Sequence, residues 1–210
     1  MNKKALEFFA KIASESCTSQ TPKLAHNTDY TGQDAAFILQ FCKPTSAILD
    51  LGTGTGLIVN KIYKSVANID CVEPQENFSR FIVQADNVTI HNCTAFAFAT
   101  DKRFDIITLF GLMNYFSEAE SIALYRKIKP FLRENATLII KNQFGINEDV
   151  IVDGYSEEQK MNYYSSYRHL GKEISILESL GYKDIRSHDI YPPEANRWDN
   201  THFYALTATV

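Results

Sequence analysis

Long apolar runs, clustered cysteines and basic stretches are all missing from this sequence of 210 residues. No apolar stretch approaches the ~20 residues a helix needs to cross a bilayer, so no membrane-spanning helix is expected. Cys17, Cys42, Cys71 and Cys93 show no C-x-x-C spacing, which argues against a zinc site or a disulfide framework. Mostly set among apolar neighbours, they read as buried, reduced thiols of a cytoplasmic protein. No Lys/Arg run stands out and the formal net charge is −4. Nucleic acid is therefore not an expected partner, because phosphate contacts demand a basic patch. The basic start at Lys3 and Lys4 is soon interrupted by Glu7, Lys11 and Glu15, unlike a signal peptide. Repeats and low-complexity segments are absent too. What remains, 45% hydrophobic and 22% charged, is the composition of one ordinary globular domain with a large core.

The chain is organised around Ile48-Leu49-Asp50-Leu51-Gly52-Thr53-Gly54-Thr55-Gly56-Leu57, which reads as strand, tight turn and helix. Glycines permit positive φ and let a ligand approach the main chain where a Cβ would intrude. A helix starting near Gly56 would aim free N–H groups and its positive end into the turn. A dinucleotide fingerprint, G-x-G-x-x-G/A, fails here because its third small position falls on Leu57. Asp50 would also repel a pyrophosphate, and suits a ligand carrying an ammonium or a sulfonium.

Asp50-x-Gly52-x-Gly54-x-Gly56 resembles motif I of the class I S-adenosylmethionine-dependent methyltransferases. A second short strand, Asn68 to Val72, ends at Glu73-Pro74. The resemblance implies that Glu73 takes both ribose hydroxyls, and its distance from the glycine turn fits one strand–helix–strand unit. The implied fold is α/β: a doubly wound, mostly parallel seven-stranded sheet with an antiparallel C-terminal hairpin and a helical N-terminal cap. The expected divisions are a cap over 1–43, a cofactor-binding core over 44–145, an acceptor-side insertion and helix over 146–180, and a closing hairpin over 181–210.

Helical spacing of Leu6, Phe9, Ile12 and Ala13 predicts a first helix over Lys4–Cys17, and Ala35, Ile38, Leu39 and Cys42 a second over Thr31–Cys42. By resemblance these elements cap the cofactor, with Tyr30 over its methionine end; the alternative is that Tyr30 is a hydrophobic staple. Further helices are expected over Glu76–Ala85 and Ser117–Pro130, and strands over Asn87–His91, Phe104–Phe110 and Ala136–Lys141. The family's acid for the adenine amino group is missing. Cys93 or Thr94 stands in its place, and backbone groups of Thr94 and Ala95, with the Phe96 ring, are the adenine candidates. Phe110-Gly111 leads into a segment similar to motif IV beneath the transferable methyl, with Asn114 and Tyr115 as polar pocket candidates.

Ser156-Glu157-Glu158-Gln159 resembles a capping box. The aromatic stretch after it, with Tyr163, Tyr164, Tyr167, Arg168 and His169, reads either as an acceptor lid in which Arg168 holds an anion, or as a solvent-facing helix with half-buried tyrosines. A helix through Ile174, Leu177 and Leu180 stops at Gly181, and strands over Asp184–Tyr191 and Thr201–Thr209 close the sheet. Arg197, Trp198 and His202 border the acceptor pocket in this reading. His169, His26 and His202 are the general-base candidates because imidazole titrates near neutrality.

The function implied is methyl transfer from S-adenosylmethionine, leaving S-adenosylhomocysteine, to an O or N atom of a small polar metabolite such as a sugar or nucleotide-linked sugar. Alternatives are a methyltransferase acting on a protein and a non-catalytic S-adenosylmethionine-binding partner subunit. An aminopropyltransferase is disfavoured because Leu112-Met113-Asn114 supplies no acid after the fourth strand. A monomer or homodimer with no metal is expected.

Overall fold

The computed structural model describes residues 3–20, 29–157, 160–196 and 198–210. Seven strands form the main sheet: β1 (Ala47–Leu51), β2 (Asn68–Val72), β3 (Val88–His91), β4 (Phe104–Phe110), β5 (Leu132–Gly145), β8 (Lys183–Asp189) and β9 (Thr201–Thr209). Their order is β3-β2-β1-β4-β5-β9-β8. The first five run parallel, while β9 is antiparallel to both β5 and β8. The order reverses between β1 and β4, which puts the crevice at the carboxyl end of β1, where the glycine turn lies.

Neighbouring residues along the central strands feed opposite faces, as the period of two requires. Leu49, Ile107, Leu138 and Ile140 pack with Leu124, Tyr125 and Ile128 of α5 (Glu118–Ile128) and Leu177 of α6 (Leu170–Ser179). Ile48, Ile106 and Ile139 face the other way, onto Phe37 and Ile38 of α2 (Thr31–Leu39) and Val59 and Ile62 of α3 (Val59–Ile62). Burial on both faces accounts for the nearly unbroken apolar run in β4.

Local signals hold at several boundaries. Ser117 caps α5 in a capping box with Glu120, whose side chain accepts the Ser117 N–H at 2.9 Å. After α6, Gly181 has φ +74° and the Tyr182 N–H returns to the Leu177 carbonyl at 3.1 Å, closing the helix. The first helix, α1, spans Lys3–Glu15.

Three expectations are corrected. The helices after the glycine turn and after Gln75 are one turn each, α3 and α4 (Glu76–Ser79), so neither carries much of a macrodipole. Strand β5 extends to Gly145 because β9 pairs with it through that residue. The aromatic stretch is not a helix: β6 (Val150–Ser156) and β7 (Met161–Tyr167) form a separate antiparallel hairpin. The β-branched run Val150-Ile151-Val152 and the tyrosines of β7 suit a pleated, half-buried surface better than a helix. The capping-box reading at Ser156 fails with it, since Ser156 ends β6; Glu158 and Gln159 lie outside the described residues. Against β7 and α4 packs α1, through Phe8, Ile12 and Ala13 with Phe78 and Tyr163.

Candidate active site

The turn after β1 is built as its composition demands. Gly54 adopts φ +60°, and the space a Cβ would occupy there is open, with no atom within 4 Å. Gly56, at φ +76°, has no such room: a Cβ would stand 2.8 Å from Ile82 Cγ1, so it serves close packing. The Gly54 N–H donates to Glu73 Oε2 at 2.9 Å, and the Gln75 N–H donates to Oε1 at 2.9 Å. Glu73 is thus held by both oxygens at the end of β2. It is 6% exposed, and burial pushes its carboxyl up to about 7 despite the two backbone donors.

Between this turn and the loops after β2, β3 and β4 lies a cavity of about 450 Å³. That falls within the usual range for small-molecule sites of roughly 300–1,000 Å³. Gly52, Thr53 and Gly54 line it on one side, and Glu73 and Pro74 at the β2 end. Thr94, Ala95 and Phe96 flank them, with Phe96 edge-on to Phe116 at 5.6 Å. Phe110, Gly111 and Tyr115 line the β4 end. Leu6 and Phe9 of α1 contribute too, with the Phe9 ring edge-on to Tyr115 at 4.8 Å, so the first helix roofs the space.

Several expected site residues stand elsewhere. Asp50 does not line the cavity. It is buried beneath the turn, accepts the Thr108 hydroxyl at 2.5 Å, and burial raises its pKa. Gly56 is likewise a packing residue. Tyr30 also lies off the cavity, as the N-cap residue of α2 with its ring on Tyr191 at 4.6 Å. Asn114 is buried and donates to Ser165 Oγ at 2.7 Å, away from the main cavity. Tyr163 packs on Phe8 of α1 and Tyr167 accepts from the Trp198 indole N–H at 3.1 Å. Neither these two nor Tyr164, which is paired with Asp153 in the hairpin, lines the cavity.

Arg168 is not an anion holder: its guanidinium is buried, bonded to the Glu173 carboxylate and to Ser121 Oγ. Two of the three histidines stand off the cavity as well. His169 precedes α6, where its N–H donates to Asp149, and His202 bonds Asp189 at 2.7 Å and Asn196 at 2.9 Å. Neither lines the cavity. His26 and Arg197 lie outside the described residues.

Two ionisable lining residues escaped the sequence reading of the site, Asp34 of α2 and Lys141 of β5. Asp34 is almost fully buried and accepts both the Lys141 ammonium, at 3.1 Å, and the Tyr191 hydroxyl, at 2.6 Å. In the sequence Lys141 marks only a strand end, and Asp34 carries no local signal.

Residues 48–135 match the family model described as "Methyltransferase domain". Among solved structures, the complex of DhpI with SAH is 13% identical, covers 98% of this chain and 95% of its own, and has a TM-score of 0.74. A 1,6-didemethyltoxoflavin-N1-methyltransferase from Burkholderia thailandensis, bound to 1,6-didemethyltoxoflavin and S-adenosylhomocysteine, is 14% identical at a TM-score of 0.74, covering 100% of this chain and 91% of its own. The glycopeptide N-methyltransferase MtfA with S-adenosyl-L-methionine is 13% identical at 0.69, covering 87% and 95%. No curated protein shows significant similarity to the sequence. Residues 48–135 match a methyltransferase domain, and the chain as a whole has the Rossmann-like fold of the S-adenosylmethionine-dependent methyltransferases.

Proposed function

We propose that the chain transfers a methyl group from S-adenosylmethionine to an oxygen or nitrogen of a small polar metabolite, sugars and nucleotide-linked sugars included. The observation that carries this is Glu73, a buried carboxylate fixed by the Gly54 and Gln75 N–H groups at the edge of a cavity of about 450 Å³. Backbone donors and an acid meeting at one cavity edge fit a ribose, and the lining by Thr94, Ala95 and Phe96 fits an adenine edge and face. When bound, the cofactor supplies an electrophilic methyl on a sulfonium. The chain's own residues hold, align and dry the site: Glu73 the ribose, the glycine turn the amino-acid portion, Leu6 and Phe9 the exclusion of water.

A small acceptor is favoured by the roof. Helix α1 lies over the cavity and packs on β7, which narrows access to it. Incubation with methyl-labelled S-adenosylmethionine and a metabolite extract should yield a labelled small product. Label found only in protein or nucleic acid would reject this acceptor class. Tight binding without any turnover would favour a non-catalytic partner subunit.

A further inference from the structure

Lys141 pairs in register with Phe110 at the end of β4, and its carbonyl accepts the Gly111 N–H at 2.7 Å. Its ammonium donates to Asp34 Oδ2 at 3.1 Å and to the Tyr191 hydroxyl at 2.9 Å, while that hydroxyl donates in turn to Asp34. The rings of Phe110, Tyr191 and Phe203 surround the nitrogen, with centroids at 5.2, 4.8 and 5.7 Å. Burial and the Asp34 charge push the Tyr191 pKa up, so its hydroxyl stays a donor.

Stability alone does not explain this arrangement, because desolvation offsets most of the attraction in a buried ion pair. The geometry leaves something over. An ammonium has three N–H donors, and two are spent on Asp34 and Tyr191. The third has no partner among the described residues, and the side chain lines the cavity. Lys141 is also the one cation among the described residues lining that space. An anion entering an apolar cavity needs a charged donor, and a lysine already locked by two partners offers one at little further cost in side-chain freedom.

We propose that Lys141 is a specificity-determining residue that receives an anionic oxygen group of the acceptor, a carboxylate, phosphate or phosphonate, with Asp34 and Tyr191 as its positioning residues. This rests on the methyltransferase reading above and narrows its substrate class. Glu73 follows β2 and Lys141 lies on β5, three strands along in the order β2-β1-β4-β5. At ~4.8 Å per strand that is roughly 14 Å, which separates the ribose end from the acceptor end.

The test uses phenylphosphonate and uncharged benzamide as probes, titrated into full-length protein saturated with S-adenosylhomocysteine. Phenylphosphonate should bind wild type at least tenfold more tightly than benzamide. In the charge-neutral double variant Asp34→Asn with Lys141→Met, which leaves no unpaired buried charge, the preference should vanish while S-adenosylhomocysteine affinity stays within twofold. Lys141→Arg should keep a preference for the anion. No charge preference in wild type would overturn the proposal, and so would a tenfold loss of S-adenosylhomocysteine affinity in the double variant, which would assign Lys141 to the cofactor. Absence of S-adenosylhomocysteine binding to wild type would instead overturn the underlying methyltransferase reading.

Discussion

Replacing Glu73 by Gln tests the electrostatics of the cavity edge without the cofactor. In the folded protein burial pushes this carboxyl from its ordinary 4.5 up to about 7. At pH 4 and below it is protonated folded and unfolded alike, and costs nothing. Between 4.5 and 7 the folded state keeps a proton that the unfolded chain has released, so stability falls as pH rises. Above 7 the full penalty is on the order of 3 kcal/mol, most of which develops between pH 5 and pH 8. Glutamine does not ionise. It does turn one amide donor toward either the Gly54 or the Gln75 N–H, which costs about 1–3 kcal/mol at every pH. Urea unfolding of both proteins from pH 5 to pH 8 separates the two effects. The constant offset is the misplaced donor, and the drift is the buried charge. Wild type should lose about 2–3 kcal/mol relative to Glu73→Gln across that range. Parallel stability curves would refute the reasoning. Saturating S-adenosylhomocysteine should flatten the drift, because ribose hydroxyls bonded to the ionised carboxylate lower its pKa.

Gly56→Ala should cost about 2–4 kcal/mol in urea unfolding, since it combines a left-handed backbone with a Cβ 2.8 Å from Ile82. Arg168→Ala leaves the Glu173 carboxylate buried without its cation and should destabilise by about 3–5 kcal/mol, with S-adenosylhomocysteine affinity in the surviving folded fraction unchanged by calorimetry. His169→Ala and His202→Ala should each keep turnover within about threefold once an acceptor is found; a loss near the ~10²–10⁴-fold expected of a general base would return them to the mechanism. Phe9→Ala opens the roof against Tyr115, so limited proteolysis within α1 should accelerate, and S-adenosylhomocysteine should slow it again.

The glycine-turn side of the cavity was legible because its signals are local. The glycine turn and Glu73 sit at strand ends whose apolar runs announce themselves, and chain order then brings the loops to one edge. The same holds for Ser117 and Gly181, whose helix boundaries depend on neighbours a few residues away. The acceptor side was not legible. Tyr163 and Tyr167 look like a binding cluster in sequence, and in β7 their hydroxyls do lie 3.1 Å apart, but they pack on Phe8 of α1 and Trp198 and do not line the cavity. Arg168 looks like an anion holder until Glu173, five residues on, takes it. Asp34 and Lys141 lie 107 positions apart and meet only where the fold brings the first turn of α2 within reach of Lys141 on β5. No local pattern marks such a pair. Asp50 carries a further lesson: the charge that resembled a ligand contact is spent on Thr108, inside the sheet.

The most direct test of the account is calorimetric titration of S-adenosylmethionine and S-adenosylhomocysteine into wild-type protein and Glu73→Ala. Micromolar binding to wild type, weakened at least a hundredfold in the variant, is the expected result, from two hydrogen bonds to a charged group at about 1.5–3 kcal/mol each. Absence of binding to wild type, or equal binding to both proteins, would contradict it.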